Sequence, residues 1–121
     1  RQKRFALIND VTGFGRCSVA VELPIISALK IQVCPLPPAI LSVHTGFANY
    51  FMDDYTDRMK NYVESWRRNK LEFDGIATGF LGSAAQIEIV SDFLQEFEAQ
   101  VLIDPVMGDH GKIYASYTRI C

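Results

Sequence analysis

The sequence has 121 residues, of which 49% are apolar and 21% are charged, and its formal net charge is −2. This composition is typical of one globular domain with a packed core and excludes an extended disordered chain. Charges of both signs are interspersed, so the basic stripe of a nucleic-acid-binding surface is missing, and no apolar run approaches the roughly 18 residues that span a bilayer. We therefore expect neither nucleic acid nor a membrane as a partner, and a cytoplasmic location by default.

In chain order, short apolar runs alternate with segments of helical periodicity. Strands are predicted at residues 5–8, 32–35, 39–43, 73–78 and 101–103, and helices at 18–29, at 56–69 and from Ser83 onwards. Residues 9–18 are expected to form a glycine-bearing turn, and residues 47–55 a small flap. Pro24 should kink the first helix or mark its first turn. This order predicts a parallel sheet with crossover helices.

Two of the predicted helices have a clear apolar face. Ser83 followed by Gln86 matches a capping box at the start of the last helix. In both helices the apolar face is expected to pack into the core: Met59, Tyr62, Val63 and Trp66 in one, and Ile87, Val90, Phe93, Leu94 and Phe97 in the other.

The loops that follow the strands are polar and rich in glycine. In a parallel sheet these loops emerge at one edge, where ligands bind, so their side chains can meet despite their distance in sequence. Carboxylates and loop amides there suit a small polar ligand with a phosphate or a metal nearby. The residues concerned are Asn9, Asp10, Gly13, Gly15, Ser42, His44, Thr45, Gly79, Phe80, Gly82, Asp104, Gly108, Asp109 and Lys112.

The segment after the strand at 101–103 carries two carboxylates. Pro105 ends the strand, so Asp104 lies at its carboxyl end, and Asp109 follows in a loop made permissive by Gly108 and Gly111. The alternative is that Asp104 caps a turn and Asp109 is a solvated loop acid, because Asp-Pro and Gly-Asp pairs are common in turns.

Other site motifs are absent or incomplete. Residues 13–18 resemble a dinucleotide fingerprint, but Ser18 replaces the third glycine and no acid follows about 20 residues later. No Walker motif occurs. Ser42, His44 and Asp104 could supply a hydrolytic triad, yet no serine lies in a G-x-S-x-G elbow. His44 could equally be a structural histidine.

Four segments together resemble the pyridoxal/pyridoxamine kinases of the ribokinase-like superfamily. They are Asn9-Asp10 with its glycine turn, residues 42–46, residues 79–83 and, most specifically, the D-P-V-M-G-D string at 104–109 with Gly111 and Tyr114. The resemblance extends from Lys3 to Tyr117. The hydroxymethylpyrimidine kinases of thiamine synthesis share the string and are the nearest alternative.

The resemblance implies a three-layer ribokinase-like fold with a central, mostly parallel sheet, and ATP-dependent phosphorylation of the hydroxymethyl group of a B6 vitamer. It implies ATP and Mg²⁺ as cofactors and a homodimer. Asn9, His44, Thr45 and Phe80 match the substrate-binding positions, with Asn9 replacing a serine that hydrogen-bonds the pyridine ring and Phe80 replacing a tyrosine. Asp104, Asp109 and Tyr114 match the side that faces the ATP phosphates, with Asp109 as the metal ligand.

The N-x-x-E and G-T-G-D segments that carry the metal motif, the anion hole and the catalytic base in this family do not occur in the sequence. Residues 1–121 are therefore expected to be the N-terminal part of a single kinase domain, inactive alone, with the base C-terminal to Cys121. An alternative from another class is a non-catalytic module that binds a small ligand.

Overall fold

The chain forms a succession of short strands and helices, here taken from a computed structural model. The structure describes residues 1–79, 81, 83–103, 108–109 and 112–113, the backbone alone at residues 103, 108–109 and 112–113. The elements in chain order are β1 (Arg4–Ile8), β2 (Val11–Phe14), α1 (Val19–Ala28), β3 (Gln32–Pro35), β4 (Ala39–Val43), β5 (Met52–Asp54), α2 (Thr56–Arg68), β6 (Gly75–Thr78), α3 (Ala84–Glu96), β7 (Gln100–Ile103), β8 (Gly108–Asp109) and β9 (Lys112–Ile113).

Four strands form a central sheet in the order β3-β1-β6-β7, and every neighbouring pair in it is parallel. Ala6 pairs with Cys34 on one side and with Ile76 on the other. Parallel strands covered on both faces are apolar throughout, which is why Ala6, Leu7 and Ile8 are all fully buried. The predicted α/β class with a central parallel sheet is confirmed.

A second, three-stranded sheet was not predicted. Its order is β2-β4-β5, with β2 parallel and β5 antiparallel to β4. The glycine turn expected over residues 9–18 is therefore wrong in part, because residues 11–14 form a strand. Gly13 permits this pairing, since a Cβ there would lie 3.0 Å from the carbonyl oxygen of Ser42. Within the expected flap at 47–55, residues 52–54 form β5, which pairs with β4 in an antiparallel hairpin.

The main core lies between the central sheet and the pair α2 and α3. It is one cluster of ten buried residues: Ala6, Ile8, Leu36, Met59, Val63, Phe73, Ile76, Val90, Phe93 and Phe97. Tyr62 and Trp66 pack against this cluster, so the predicted apolar face of α2 is confirmed as core. Ile87 was expected to face inward and is instead 39% exposed. It lies one residue past the buried Gln86, near the start of α3, at the margin of the apolar stripe.

The predicted Ser83 cap of α3 is present, whereas the prediction that Pro24 could mark the first turn of α1 is wrong. Ser83 caps α3 by accepting a hydrogen bond from the Gln86 backbone N–H at 3.3 Å. The Gln86 side chain is itself engaged, because its Nε2 donates to Pro38 O and Thr56 Oγ1, both at 2.8 Å. The bond to Thr56 joins α3 to the start of α2. Helix α1 continues through Pro24, which neither marks its first turn nor ends it.

Candidate functional site at the carboxyl edge of the sheet

Asn9 follows directly after β1 and is only 5% exposed. Its Oδ1 accepts a hydrogen bond from the Asp10 backbone N–H at 2.9 Å, and its Nδ2 donates to Glu22 Oε1 at 2.5 Å. A carboxylate only accepts and a backbone N–H only donates. The two neighbours therefore hold the Asn9 amide in one orientation.

Gly79 follows β6, the parallel neighbour of β1, and its backbone lies against the Asn9 amide. The Gly79 N–H donates to Ile8 O at 2.8 Å. A Cβ added at Gly79 would lie 2.5 Å from Asn9 Cγ and 2.7 Å from Asn9 Oδ1, which is closer than a real Cβ can approach. The loops after β1 and β6 thus meet at one edge, as the parallel order predicts.

Asp10 organises the connection from β2 to α1. It is 7% exposed, and its two carboxylate oxygens accept from Thr12 Oγ1 at 2.8 Å and Ser18 Oγ at 2.7 Å. Its carbonyl oxygen accepts from the Val19 N–H at 3.3 Å. Both hydroxyl bonds stabilise the carboxylate, so Asp10 fixes the start of α1 and positions Glu22 beside Asn9.

His44 follows β4 and lies in a slot between two glycines. Its Nδ1 accepts a hydrogen bond from the Gly46 N–H at 3.0 Å. A Cβ at Gly15 would lie 2.7 Å from His44 Cδ2, and one at Gly46 would lie 2.6 Å from His44 Cε1. Because Nδ1 accepts, the proton of the neutral imidazole is on Nε2, which is then a donor. Thr45 is exposed beside it.

An aromatic group flanks the imidazole. The Phe47 ring lies 4.6 Å from the His44 ring and 5.7 Å from that of Phe14, centroid to centroid. Phe14 is 65% exposed and Phe47 is 42% exposed. His44 and Asn9 lie near opposite ends of the four-residue strand β2. The second sheet therefore carries one part of the candidate site and the central sheet the other.

Ser42 has a structural role in this arrangement. Its Oγ accepts from the Phe51 N–H at 2.9 Å, and its N–H donates to Phe51 O at 2.9 Å. Ser42 thus holds the hairpin of β4 and β5 together.

Several predicted site residues lie wholly or partly outside the described residues. Phe80, Asp104 and Tyr114 are among those not described, and for Asp109 only the backbone is described. That backbone belongs to β8 and pairs with Lys112 of β9, so the expectation of an open loop at Asp109 is corrected to a short antiparallel pair. The side-chain roles assigned to these four residues remain predictions.

Glu22 is the site residue that the sequence analysis missed. It is half-buried, and it is the single charged residue of α1, which otherwise reads V-A-V-x-L-P-I-I-S-A. A lone acid on an apolar helix was the available signal. Its partner could not be deduced, because the approach of α1 to Asn9 depends on the fold of residues 10–18.

A surface cavity of about 580 Å³ lies away from this site. It is at the opposite edge of the central sheet, before the starts of β1 and β6, and is lined by Arg1, Arg67, Asp74 and Glu96 among others. Its charges are largely paired, Arg1 with Asp74 at 3.0 Å and Arg67 with Glu96. The strand-end residues Asn9, His44 and Gly79 do not line it.

Comparison with solved structures places the architecture in the ribokinase-like fold of small-molecule kinases. The chain is 41% identical to a candidate phosphomethylpyrimidine kinase from Bacteroides thetaiotaomicron, crystallised with pyridoxal, with a TM-score of 0.93 over 98% of this chain and 42% of that one. It is 26% identical to pyridoxal kinase from Lactobacillus plantarum, with a TM-score of 0.91 over 98% of this chain and 43% of that one.

A more distant structure has the same fold. Pyridoxal kinase from Leishmania donovani, in complex with ADP and ginkgotoxin, is 21% identical and has a TM-score of 0.78 over 93% of this chain and 43% of that one. The resemblance to pyridoxal kinases seen in the sequence motifs is thus confirmed by structural neighbours. The chain spans less than half the length of these structures. No family model matches the chain, and a search of curated proteins gives no match.

Proposed function

We propose that this chain is the substrate-binding part of a kinase that transfers a phosphoryl group from ATP to the hydroxymethyl group of a B6 vitamer. The observation that supports this most is the meeting of Asn9 and Gly79 at the carboxyl ends of β1 and β6. It lies in a fold shared with a 41% identical protein that was crystallised with pyridoxal. Ligands of open α/β sheets bind at this edge.

In this proposal the described residues bind and orient the ring of the substrate. Asn9 offers amide donors and acceptors to a ring nitrogen, and His44 offers its Nε2 proton at the rim formed by the second sheet. Thr45 and Phe80 complete the substrate side. Asp104, Asp109 and Tyr114 would face the nucleotide phosphates, in keeping with the ADP bound to the Leishmania kinase.

Mg²⁺ would neutralise phosphate charge when bound. Among the described residues no group of three or more His, Cys, Asp or Glu side chains could hold a metal ion. Asp109 is proposed as one ligand, and its partners would come from the rest of the chain or from residues beyond Cys121.

The catalytic base is proposed to lie C-terminal to Cys121, so that residues 1–121 bind substrate without turning it over.

A homodimer is proposed on the resemblance alone. No helix in the described part of the chain is long and apolar enough to cross a membrane.

The second candidate function is phosphorylation of hydroxymethylpyrimidine. It is favoured by the description of the 41% identical Bacteroides protein as a candidate phosphomethylpyrimidine kinase. Both substrates carry a hydroxymethyl group on a nitrogen heterocycle, so the same edge of the sheet would serve either.

The deciding experiment measures ATP consumption with pyridoxal, pyridoxamine, pyridoxine and hydroxymethylpyrimidine as substrates. Full-length protein, residues 1–121 alone and the full-length variants Asp109→Ala and Asp92→Ala are compared. Asp92 is exposed on α3, so its variant controls for the loss of one carboxylate. We expect turnover of a B6 vitamer by the full-length protein, at least 100-fold less in Asp109→Ala, and none by residues 1–121.

Turnover of hydroxymethylpyrimidine alone would select the second candidate. Turnover by residues 1–121 would contradict the proposed location of the base. Binding of a vitamer by the full-length protein without turnover of any substrate would select the ligand-binding module.

A further inference from the structure

Glu22 is a half-buried carboxylate that touches the candidate site through Asn9 and has no part in the function proposed above. Its Oε1 accepts from Asn9 Nδ2 at 2.5 Å, and a hydrogen bond to an ionised carboxylate is stronger than one between neutral groups. No segment resembling a known motif contains it. Its position on α1 is secured by Asp10, which holds Ser18 and the first turn of that helix.

The Asn9 amide can in principle present either end to a ligand, because rotating it by 180° exchanges its donor and its acceptor. Two bonds prevent this here. Glu22 requires the Nδ2 end, and the Asp10 backbone N–H, at 2.9 Å, requires the Oδ1 end. The backbone of Gly79 also limits movement out of the amide plane. Whichever edge of the amide meets a ligand, its donor and acceptor therefore occupy fixed places.

We infer that Glu22 is a positioning residue that sets the donor and acceptor pattern with which Asn9 reads the nitrogen edge of a heteroaromatic ring. This inference rests on the proposed function, in which Asn9 contacts a pyridine or pyrimidine ring. A flipped amide would place an oxygen where the ring requires a donor, or the reverse, and each mismatch leaves a buried polar group unpaired. Glu22 thus contributes to the choice of ring through Asn9.

The test is a double-mutant cycle on pyridoxal binding by the full-length protein, measured by isothermal titration calorimetry. Glu22→Leu removes the acceptor, whereas Glu22→Gln keeps an acceptor oxygen and removes the charge. We expect Glu22→Leu to weaken binding about tenfold and Glu22→Gln by no more than about threefold, because one bond to Asn9 of roughly 1.4 kcal/mol is at stake. In an Asn9→Ala background, Glu22→Leu should change the affinity less than twofold.

A separate readout does not depend on substrate. The side-chain amide signals of Asn9, followed by NMR, should shift clearly in Glu22→Leu, which removes the acceptor, and much less in Glu22→Gln, which keeps an acceptor oxygen. Unchanged Asn9 signals in Glu22→Leu would overturn the contact itself. Equal losses of affinity from Glu22→Leu with and without Asn9, or no loss at all, would overturn the inference while leaving the proposed function standing. Failure of the wild-type protein to bind or phosphorylate any of the four substrates would overturn both.

Discussion

At the scale of single residues, the slot around His44 depends on the absence of two side chains. A Cβ added at Gly46 would lie 2.6 Å from His44 Cε1, and one added at Gly15 would lie 2.7 Å from His44 Cδ2. The two glycines differ in backbone conformation, since Gly15 has a φ of +128°, where residues with a Cβ are strained. Steric contact with the imidazole and backbone strain can therefore be separated by mutation.

We expect Gly46→Ala to lower the free energy of unfolding by about 1 kcal/mol, because the exposed imidazole must turn away and loses its bond to the Gly46 N–H. Gly15→Ala should lower it by about 1–3 kcal/mol, because it also adds backbone strain. Combined with His44→Ala, which removes the ring, Gly46→Ala should cost less than about 0.5 kcal/mol. Gly15→Ala should still cost about 1 kcal/mol or more, since its backbone strain remains. Urea denaturation of the two single glycine variants, of His44→Ala, of the two double variants and of the wild-type protein measures these differences. Equal costs of Gly46→Ala with and without His44 would show that the slot is not what requires glycine.

The sequence indicated the identities of the site residues better than their contacts. Asn9, His44 and Gly79 were all assigned to the strand-end rim because parallel strands deliver their loops to one edge. Glu22 was not assigned, since its contact with Asn9 arises from the path of the chain around Asp10. The orientation of an amide or an imidazole depends on neighbours about 3 Å away, and no spacing in the sequence encodes it.

At the scale of elements, Asp74 ties together the starts of three strands. Its backbone N–H donates to Arg4 O at 2.8 Å, its carboxylate accepts from the Arg4 N–H at 2.9 Å, and its carbonyl oxygen accepts from the Gln100 N–H at 3.3 Å. The Arg4 backbone N–H, followed by the Arg1 guanidinium, lowers the pKa of the Asp74 carboxyl. The ionised form therefore stabilises the junction of β1, β6 and β7.

A lowered pKa in the folded state means that the stabilisation is complete above the unfolded value, about 3.9, and disappears as the pH falls through the folded value. We expect Asp74→Asn to be less stable than the wild-type protein at pH 7 and equally stable near pH 2. Urea denaturation between pH 2 and pH 7 checks this, with Asp92→Asn as the control for a lost charge. A stability difference that stays constant down to pH 2 would contradict an ionised Asp74 as its source.

Elements with strong local sequence signals were predicted correctly, whereas the strands that form only by pairing with a neighbouring strand were not. Helices α2 and α3 follow the periodicity of their apolar residues, and β1, β3, β6 and β7 follow short apolar runs. Strand β2 contains Gly13, and β5 reads Met-Asp-Asp, so neither has the composition of a strand. Both exist because β4 offers them a paired edge. The alternation in β4, where Ala39 and Leu41 are buried and Ile40 is exposed, was the available sign of a sheet with one open face.

At the scale of the whole molecule, the residues of the proposed site come from two different sheets. The central sheet supplies Asn9 and Gly79 at its carboxyl edge, and the second sheet supplies His44 with its aromatic neighbours. Gln86 joins α3 to Pro38 and Thr56, which flank the second sheet and α2. Movement of the second sheet against the core would therefore break a buried bond, which favours a pre-formed pocket over one assembled by the ligand.

Strand β7 forms one edge of the central sheet and carries an exposed apolar side chain. In the described part of the chain β7 pairs with β6 alone, and Leu102 on it is 71% exposed. An exposed apolar edge strand invites pairing with another chain. We expect residues 1–121 to self-associate as concentration rises in sedimentation velocity runs, and Leu102→Lys to suppress this by placing a charge on the edge. Leu29, 69% exposed at the end of α1, is the matched control for apolar exposure away from a strand. If Leu29→Lys suppresses association as strongly as Leu102→Lys, the association is due to apolar surface in general and the role of the strand edge is refuted.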